Sequence, residues 1–188
     1  MQTIVLGSNS VTRAKILKDN GIDFIQRGAS FDEESLTIKN PIHFVYRATM
    51  GKMNSYVEEF GLDMPVLCAD TVVTCKNKLL RKAKDVDDAR EILLTQSGGV
   101  VSILTCMVFK SKKLEFIDLS STDYVFAEFD KKALEKYLKG DDWKGKAGAC
   151  MVEGFCKSYI KEVRGYESTA MGLCVEKLLP FLEDEDVL

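Results

Sequence analysis

Chemistry is sought first where a charged residue stands in an apolar setting. Asp70 directly follows the apolar run Val66-Leu67-Cys68-Ala69 and precedes Val72-Val73-Thr74. Burying a carboxylate is costly unless it is paired, so one at the end of a buried strand needs a reason. Open α/β sheets gather their ligands at the C-terminal ends of strands. The ordinary alternative is an Asp that caps the next turn with its side chain. More strand follows, so no helix is there to be capped, and Asp70 reads as functional.

A second signal is the loop Ser8-Asn9-Ser10-x-x-Arg13, entered from an apolar run and left by a helical pattern. Free N–H groups at a helix start favour an anion. Ser8 and Ser10 add hydroxyl donors, and Arg13 offers a fork suited to phosphate oxygens. The alternative is simple capping with Arg13 solvated. Further cations are Lys52, Arg81, Lys82, Lys84, Lys144 and Lys146. Each alone reads as a surface residue, since such side chains are rarely buried; together with Arg13 they could neutralise a polyanion. The acidic run Phe31-Asp32-Glu33-Glu34-Ser35 is either a solvated face or a metal-binding loop. Mg²⁺ takes one or two carboxylates plus substrate phosphates, so Glu33 or Glu34 with Asp70 makes a natural pair. The single histidine, His43, excludes two-His metal sites and leaves no credible Ser-His-Asp or Cys-His arrangement.

The elements that must position these residues follow from periodicity. Residues 3–6 read as a buried strand, and Ser10 caps a helix carrying Ala14, Ile16 and Leu17 that ends at Gly21. A strand over 22–26 follows. Asn40-Pro41 opens a helix with one apolar face, closed by Gly61. Residues 66–74 form a strand with a turn at Asn77-Lys78 back into Leu79-Leu80. Asp85 caps a helix to Gln96, stopped by Ser97-Gly98-Gly99. Two long strands follow at 100–109 and 115–128, and Asp130 caps a short helix. The Gly-rich stretch 145–154 is irregular, 155–163 looks extended, and a last helix starts near Thr169. The tail 183–188 is acidic and frayed. This gives roughly seven strands and five helices, and the long hairpin-like pair makes the sheet mixed. The fold class is α/β.

At 188 residues the chain makes a single domain over 1–188. Lys plus Arg number 26 and Asp plus Glu 29, a net charge of −3, which argues against a nucleic acid polymer as partner. No apolar run nears the roughly 20 residues that span a bilayer, and the N-terminus does not read as a signal peptide. The six cysteines have no C-x-x-C pair. They are expected as reduced, buried thiols in a cytoplasmic protein.

Taken in order, Ser8-Asn9-Ser10-x-x-Arg13, Arg47-Ala48-x-x-x-Lys52, Ala69-Asp70-Thr71-Val72-Val73, Lys82, Ser97-Gly98, Lys146-Ala147-Gly148 and Glu153-Gly154 resemble the Maf-like nucleotide pyrophosphatases. The resemblance covers nearly the whole chain. It implies an elongated mixed sheet flanked by helices, two lobes with a central cleft, related to inosine triphosphate pyrophosphatases. It implies hydrolysis of a nucleoside triphosphate to the monophosphate and pyrophosphate with a divalent metal, Mg or Mn, in a cytoplasmic protein that is often a homodimer. It assigns Asp70 as the catalytic aspartate, Arg13, Lys52 and Lys82 to the phosphates, and Ser8 to the loop serine. Glu33 or Glu34 matches the family's early acidic residue, giving Glu33 and Asp70 as the metal pair. Lys146 falls in its Lys-Ala-Gly block. Arg13, Thr71 and Glu153 match positions the family uses to choose the base.

Three departures stand out. Arg81-Lys82-Ala83 replaces the family's Gly-Lys-Pro, Ser10-Val11-Thr12-Arg13 has one arginine fewer than Ser-Pro-Arg-Arg, and Glu153-Gly154 replaces the Gln-Gly of the pyrimidine-selective branch. A carboxylate donates no amide hydrogen bond, so Glu153 reads a different base edge. A guanine-type edge fits Glu153, whereas Ala69-Asp70-Thr71 resembles the pyrimidine branch; the base stays open. Asp70 would orient or deprotonate a water attacking the α-phosphorus, bind the metal, or do both. The rival reading is a non-catalytic nucleotide-binding module linked to septum or growth control.

Overall fold

The computed structural model describes residues 3–183; the expected frayed tail lies, beyond Glu183, outside the described residues. Seven strands form one mixed sheet: β1 (Ile4–Leu6), β2 (Phe24–Gln26), β3 (Val66–Cys75), β4 (Lys78–Leu80), β5 (Val100–Lys110), β6 (Glu115–Phe126) and β7 (Ile160–Arg164). Their order is β2-β1-β3-β5-β6-β7, with β4 pairing β3. β1 runs parallel to β2 and β3, and the remaining pairings are antiparallel. The parallel part needs helical crossovers: α1 (Val11–Asp19) links β1 to β2, and α2 (Pro41–Phe60) links β2 to β3.

Strand alternation divides the core between two faces. Ile4, Leu6, Leu67, Ala69, Met107 and Phe109 point to one face and pack against Ile16 and Leu17 of α1 and Leu178 of α6 (Val175–Leu182). Further along the same face, Val101, Ile103, Tyr124 and Phe126 pack on α3 (Val86–Gln96) and α4 (Lys131–Leu138). The opposite face buries Val5, Val66, Cys68 and Val108 under Met53 and Tyr56 of α2. One face therefore carries two separate clusters, and a cleft opens between them. Each fully buried Leu or Phe contributes about 1.5–3 kcal/mol, so both clusters hold firmly to the sheet that joins them.

Capping agrees with expectation. The side chains of Ser10, Asn40, Asp85 and Asp130 accept from backbone N–H groups of Arg13, His43, Asp87 and Ala133. Other expectations need correction. The β3–β4 turn is Lys76-Asn77, the two residues with left-handed φ (50° and 59°), as a two-residue hairpin loop requires. Residues 155–159 are a 3₁₀ turn rather than extended, driven by packing of Phe155 on Tyr137 and Phe129. The last helix is two: α5 (Glu167–Ala170) and α6, broken at Gly172, whose φ is 109°. There are thus six α-helices among the described residues.

The thiol expectation is also corrected. Cys68, Cys75, Cys106 and Cys174 are free and buried, but Cys150 and Cys156 form a disulfide. Left-handed φ at Gly148 and Ala149 turns the chain, and the two Cα atoms come within 6.7 Å, inside the range a disulfide spans.

Candidate active site

The site lies on one edge of β3. β1 pairs with that strand at Val66 and Leu67, and β4 at Val73–Cys75. Between them, among the described residues, the edge carries no neighbouring strand, because β1 stops at Leu6 and turns into the serine loop. Asp70 and Thr71 sit in this gap. Alternation sends Asp70 to the α2 face and Thr71 to the α1 face, so each meets a different cation.

On the α2 face Asp70 is buried, and Lys52 Nζ donates to its Oδ1 at 2.6 Å. The same ammonium donates to Glu33 Oε2 at 3.1 Å, so the two carboxyl groups converge on one cation. Glu33 opens a 3₁₀ turn (Glu33–Ser35). The loop is fixed by Phe31, whose ring lies where a Cβ on Gly51 would be. A glycine in mid-helix thus makes room for the ring that brings Glu33 to Lys52. The side chain of Glu34 lies outside the described residues.

Burial pushes the Asp70 carboxyl above its ordinary range; the Lys52 charge opposes this and the Glu33 charge adds to it. Glu33 is also penalised by burial, but Lys52, the neighbouring Asp70 carboxyl and the Arg13 charge together hold it below the usual value. Of the pair, Asp70 keeps or receives a proton more readily, since the stronger desolvation falls on it.

On the α1 face Arg13 is buried at 9% exposure, against the solvated alternative. Nε donates to the Gly172 carbonyl at 2.8 Å, Nη1 to Ser8 Oγ at 3.1 Å and Nη2 to Thr71 Oγ1 at 3.2 Å. Burial lowers its pKa, and the charges of Asp70 and Glu33 raise it. A guanidinium carries five donors; these three bonds leave two N–H groups for a ligand. Thr105 Oγ1 donates to the Thr169 carbonyl at 2.7 Å, so the 2.9 Å contact of Thr71 with Thr105 is donated by Thr71. Arg13 is thereby fixed through a relay into α5.

Lys82 and Lys146 are exposed at the rim. Lys82 forms a β-bridge with Ala147, and Gly148 N–H donates to the Arg81 carbonyl at 3.2 Å. The loop carrying Lys146 is therefore tied to the end of β4. Beyond this rim, between the two clusters, lies a cavity of about 520 Å³. Val73, Val101, Ile103 and Phe126 form apolar walls; Thr12, Glu153, Lys157 and Glu167 supply polar groups. The Tyr124 phenol is raised by burial, then by the charges of Glu153 and Glu167, so it stays a neutral donor.

The sequence-predicted residues thus form one tight cluster, Ser8, Arg13, Glu33, Lys52, Asp70 and Thr71, with Lys82, Lys146 and Glu153 around the adjoining rim and cavity. Thr105, the Gly172 carbonyl, the Gly51–Phe31 fit and Glu167 were not foreseen. Gly51 and Gly172, glycines inside helical patterns, carried a readable signal. Among the described residues no group of three or more His, Cys, Asp or Glu is placed to hold a metal ion. The two carboxylates that converge on the Lys52 ammonium fit Mg²⁺ or Mn²⁺, provided phosphate oxygens and water complete the shell.

This arrangement of sheet and cleft is similar in fold to the Staphylococcus aureus Ham1 protein, with a TM-score of 0.53 and 12% identity over 97% of this chain and 98% of that one. The class is thus a Ham1-like α/β fold. Residues 3–185 match the Maf-like protein family, and the chain belongs to that family. A relative in a Nitratiruptor species, named nucleoside triphosphate pyrophosphatase, is 56% identical over 183 residues, covering 96% of this chain and 99% of its own. Relatives of the same name in Helicobacter pylori (strain Shi470) and Campylobacter jejuni (strain 81-176) are 40% and 35% identical, covering 96% and 95% of this chain and 95% and 100% of their own.

Proposed function

We propose that the chain hydrolyses nucleoside triphosphates to the monophosphate and pyrophosphate by attack of water on the α-phosphorus. The observation that carries this reading is the placement of Asp70 in the gap of the β3 edge, with Lys52 on one face and Arg13 on the other. The phosphate tail crosses the gap. Arg13 offers its two free N–H groups, Lys52 its third N–H, and Ser8 and the start of α1 further donors. These groups stabilise charge that grows on the departing pyrophosphate. Lys82 and Lys146 extend the positive rim. Asp70, with its raised pKa, accepts the proton of the attacking water or orients it. Glu33 and Asp70 would hold a divalent cation together with phosphate oxygens; when bound, it supplies Lewis-acid stabilisation and a more acidic water.

The nucleoside enters the cavity beside the site. Glu153 and Glu167 accept hydrogen bonds and do not donate them, so they favour a base edge rich in N–H groups. Guanine, with donors at N1 and N2, suits them better than thymine or uracil. The non-catalytic rival draws support from the altered Arg81-Lys82-Ala83 turn and from the arginine missing in the first loop; against the first, Lys82 is still tied to the neighbouring loop by its bridge to Ala147.

The test is a panel of ribo- and deoxynucleoside triphosphates with Mg²⁺ or Mn²⁺, analysed for every phosphate product. Pyrophosphate and monophosphate in equal amounts, fastest with guanine nucleotides, are expected. Binding without products, or release of orthophosphate alone, would overturn the reading.

A further inference from the structure

We propose that Cys150 and Cys156 are a thiol–disulfide exchange site that sets how firmly residues 151–154 close the nucleoside cavity. The inference rests on the reading that this cavity takes the nucleoside. The loop is anchored up to its midpoint: Gln96 Nε2, in a buried side chain on α3, donates to the Gly148 carbonyl at 2.7 Å, and Tyr137 Oη donates to the Ala149 carbonyl at 3.0 Å. Past that point the hydrogen bonds are local. Gly154 N–H donates to the Met151 carbonyl at 3.0 Å, and Lys157 N–H to the Gly154 carbonyl at 3.1 Å. Met151, Val152 and Glu153 line the cavity, and Met151 is 48% exposed. The disulfide encloses these three residues, and it joins Cys150, at the cavity wall, to Cys156, which is fully buried. It adds a covalent tie between the cavity-lining segment and the aromatic cluster around Phe155, Phe129 and Tyr159, on which Val152 also packs.

The position also allows exchange. Cys150 is partly exposed in the cavity, whereas the other four cysteines are buried and unpaired. The co-reactant is a low-molecular-weight disulfide. The Cys150 thiolate attacks it, forming a mixed disulfide and releasing one thiolate. The Cys156 thiolate then attacks the Cys150 sulfur and releases the second. The two protein thiols lose two electrons and two protons, and the small disulfide is reduced to two thiols. A dithiol reverses both steps. In the reduced state residues 151–154 must be ordered when the nucleotide binds, which weakens affinity without altering the chemistry at Asp70.

The experiment compares protein equilibrated with oxidised glutathione and with dithiothreitol. Thiols are counted after denaturation, and the Kd of the non-hydrolysable α,β-imido analogues of GTP and TTP is measured. Four thiols after oxidation against six after reduction are expected. The Kd of the tighter analogue should be roughly tenfold lower in the oxidised protein, the scale of immobilising one or two side chains on binding. The double variant Cys150→Ser, Cys156→Ser should show the reduced-state Kd in both buffers. Six thiols after oxidation, an unchanged Kd, or a double variant that keeps the difference would each overturn the proposal. If the Kd still responds to oxidation but no triphosphate is cleaved in either state, the pyrophosphatase reading fails and the redox coupling stands.

Discussion

Lys52 Nζ lies 2.6 Å from Asp70 Oδ1, joining a helix on one face of the sheet to a carboxylate in the gap of its β3 edge. The pairing does not fully offset burial, since the Asp70 carboxyl remains above its ordinary range. A neutral side chain of the same shape is therefore tolerated by the fold. Asp70→Asn should lower kcat by roughly 100- to 10,000-fold, the range for losing an acid–base group. Its melting temperature should stay within a few degrees of wild type. Pyrophosphate release and thermal unfolding of the same preparation check both parts; retained turnover would remove Asp70 from the chemistry.

Arg13 is held by three different acceptors, and a lysine cannot reproduce that fork. Arg13→Lys leaves the buried Gly172 carbonyl short of a donor, at a cost of about 1–3 kcal/mol. It also removes the two N–H groups left for phosphate. Stability should fall by that amount, and KM for the triphosphate should rise roughly tenfold or more. Denaturant unfolding and steady-state kinetics read the two effects separately.

Gly51 gives a sharper test, because two effects on stability oppose each other. In an exposed helix, Gly→Ala stabilises by about 1 kcal/mol. Here the new Cβ overlaps the Phe31 ring, and overpacking costs about 1–3 kcal/mol. Gly51→Ala should therefore leave stability unchanged or lower, and should cut kcat/KM about tenfold as Glu33 moves from Lys52. A more stable, fully active variant would show that the Phe31 contact does not position Glu33.

Burial raises the Cys68 thiol from its ordinary 9.0 to about 12. The folded state then binds this proton more tightly than the unfolded state does. The sign follows from linkage: its contribution is whole below pH 9, declines as pH rises from 9 toward 12, and is lost above. The slope approaches about 1.4 kcal/mol per pH unit inside that window. Urea unfolding at pH 8 and pH 10.5 should show a loss for wild type that is smaller in Cys68→Ala. Equal slopes would contradict the assignment.

The fold was legible wherever a local rule decided it. The caps at Ser10, Asn40, Asp85 and Asp130 and the β3 strand around Asp70 needed only neighbours within a few residues. Asp70 and Arg13 were legible as candidates because their residue types clash with or complement their settings, whereas Lys52 alone read as a surface residue and stood out only through the family resemblance. What stayed hidden depended on distant partners. The break of the last helix at Gly172 brings a carbonyl to Arg13 from 159 residues away. The Thr71–Thr105 contact is a matter of cross-strand register. The Cys150–Cys156 bond depends on left-handed backbone at Gly148 and Ala149, which a spacing of six residues does not announce.

The proposed reaction turns on water attacking the α-phosphorus beside Asp70, and isotopic labelling of the products decides whether it does. Hydrolysis of the best triphosphate in ¹⁸O-enriched water, followed by mass spectrometry, locates the new oxygen. One ¹⁸O in the nucleoside monophosphate and none in pyrophosphate are expected. Label in the pyrophosphate, or cleavage that yields labelled orthophosphate, would contradict attack at the α position.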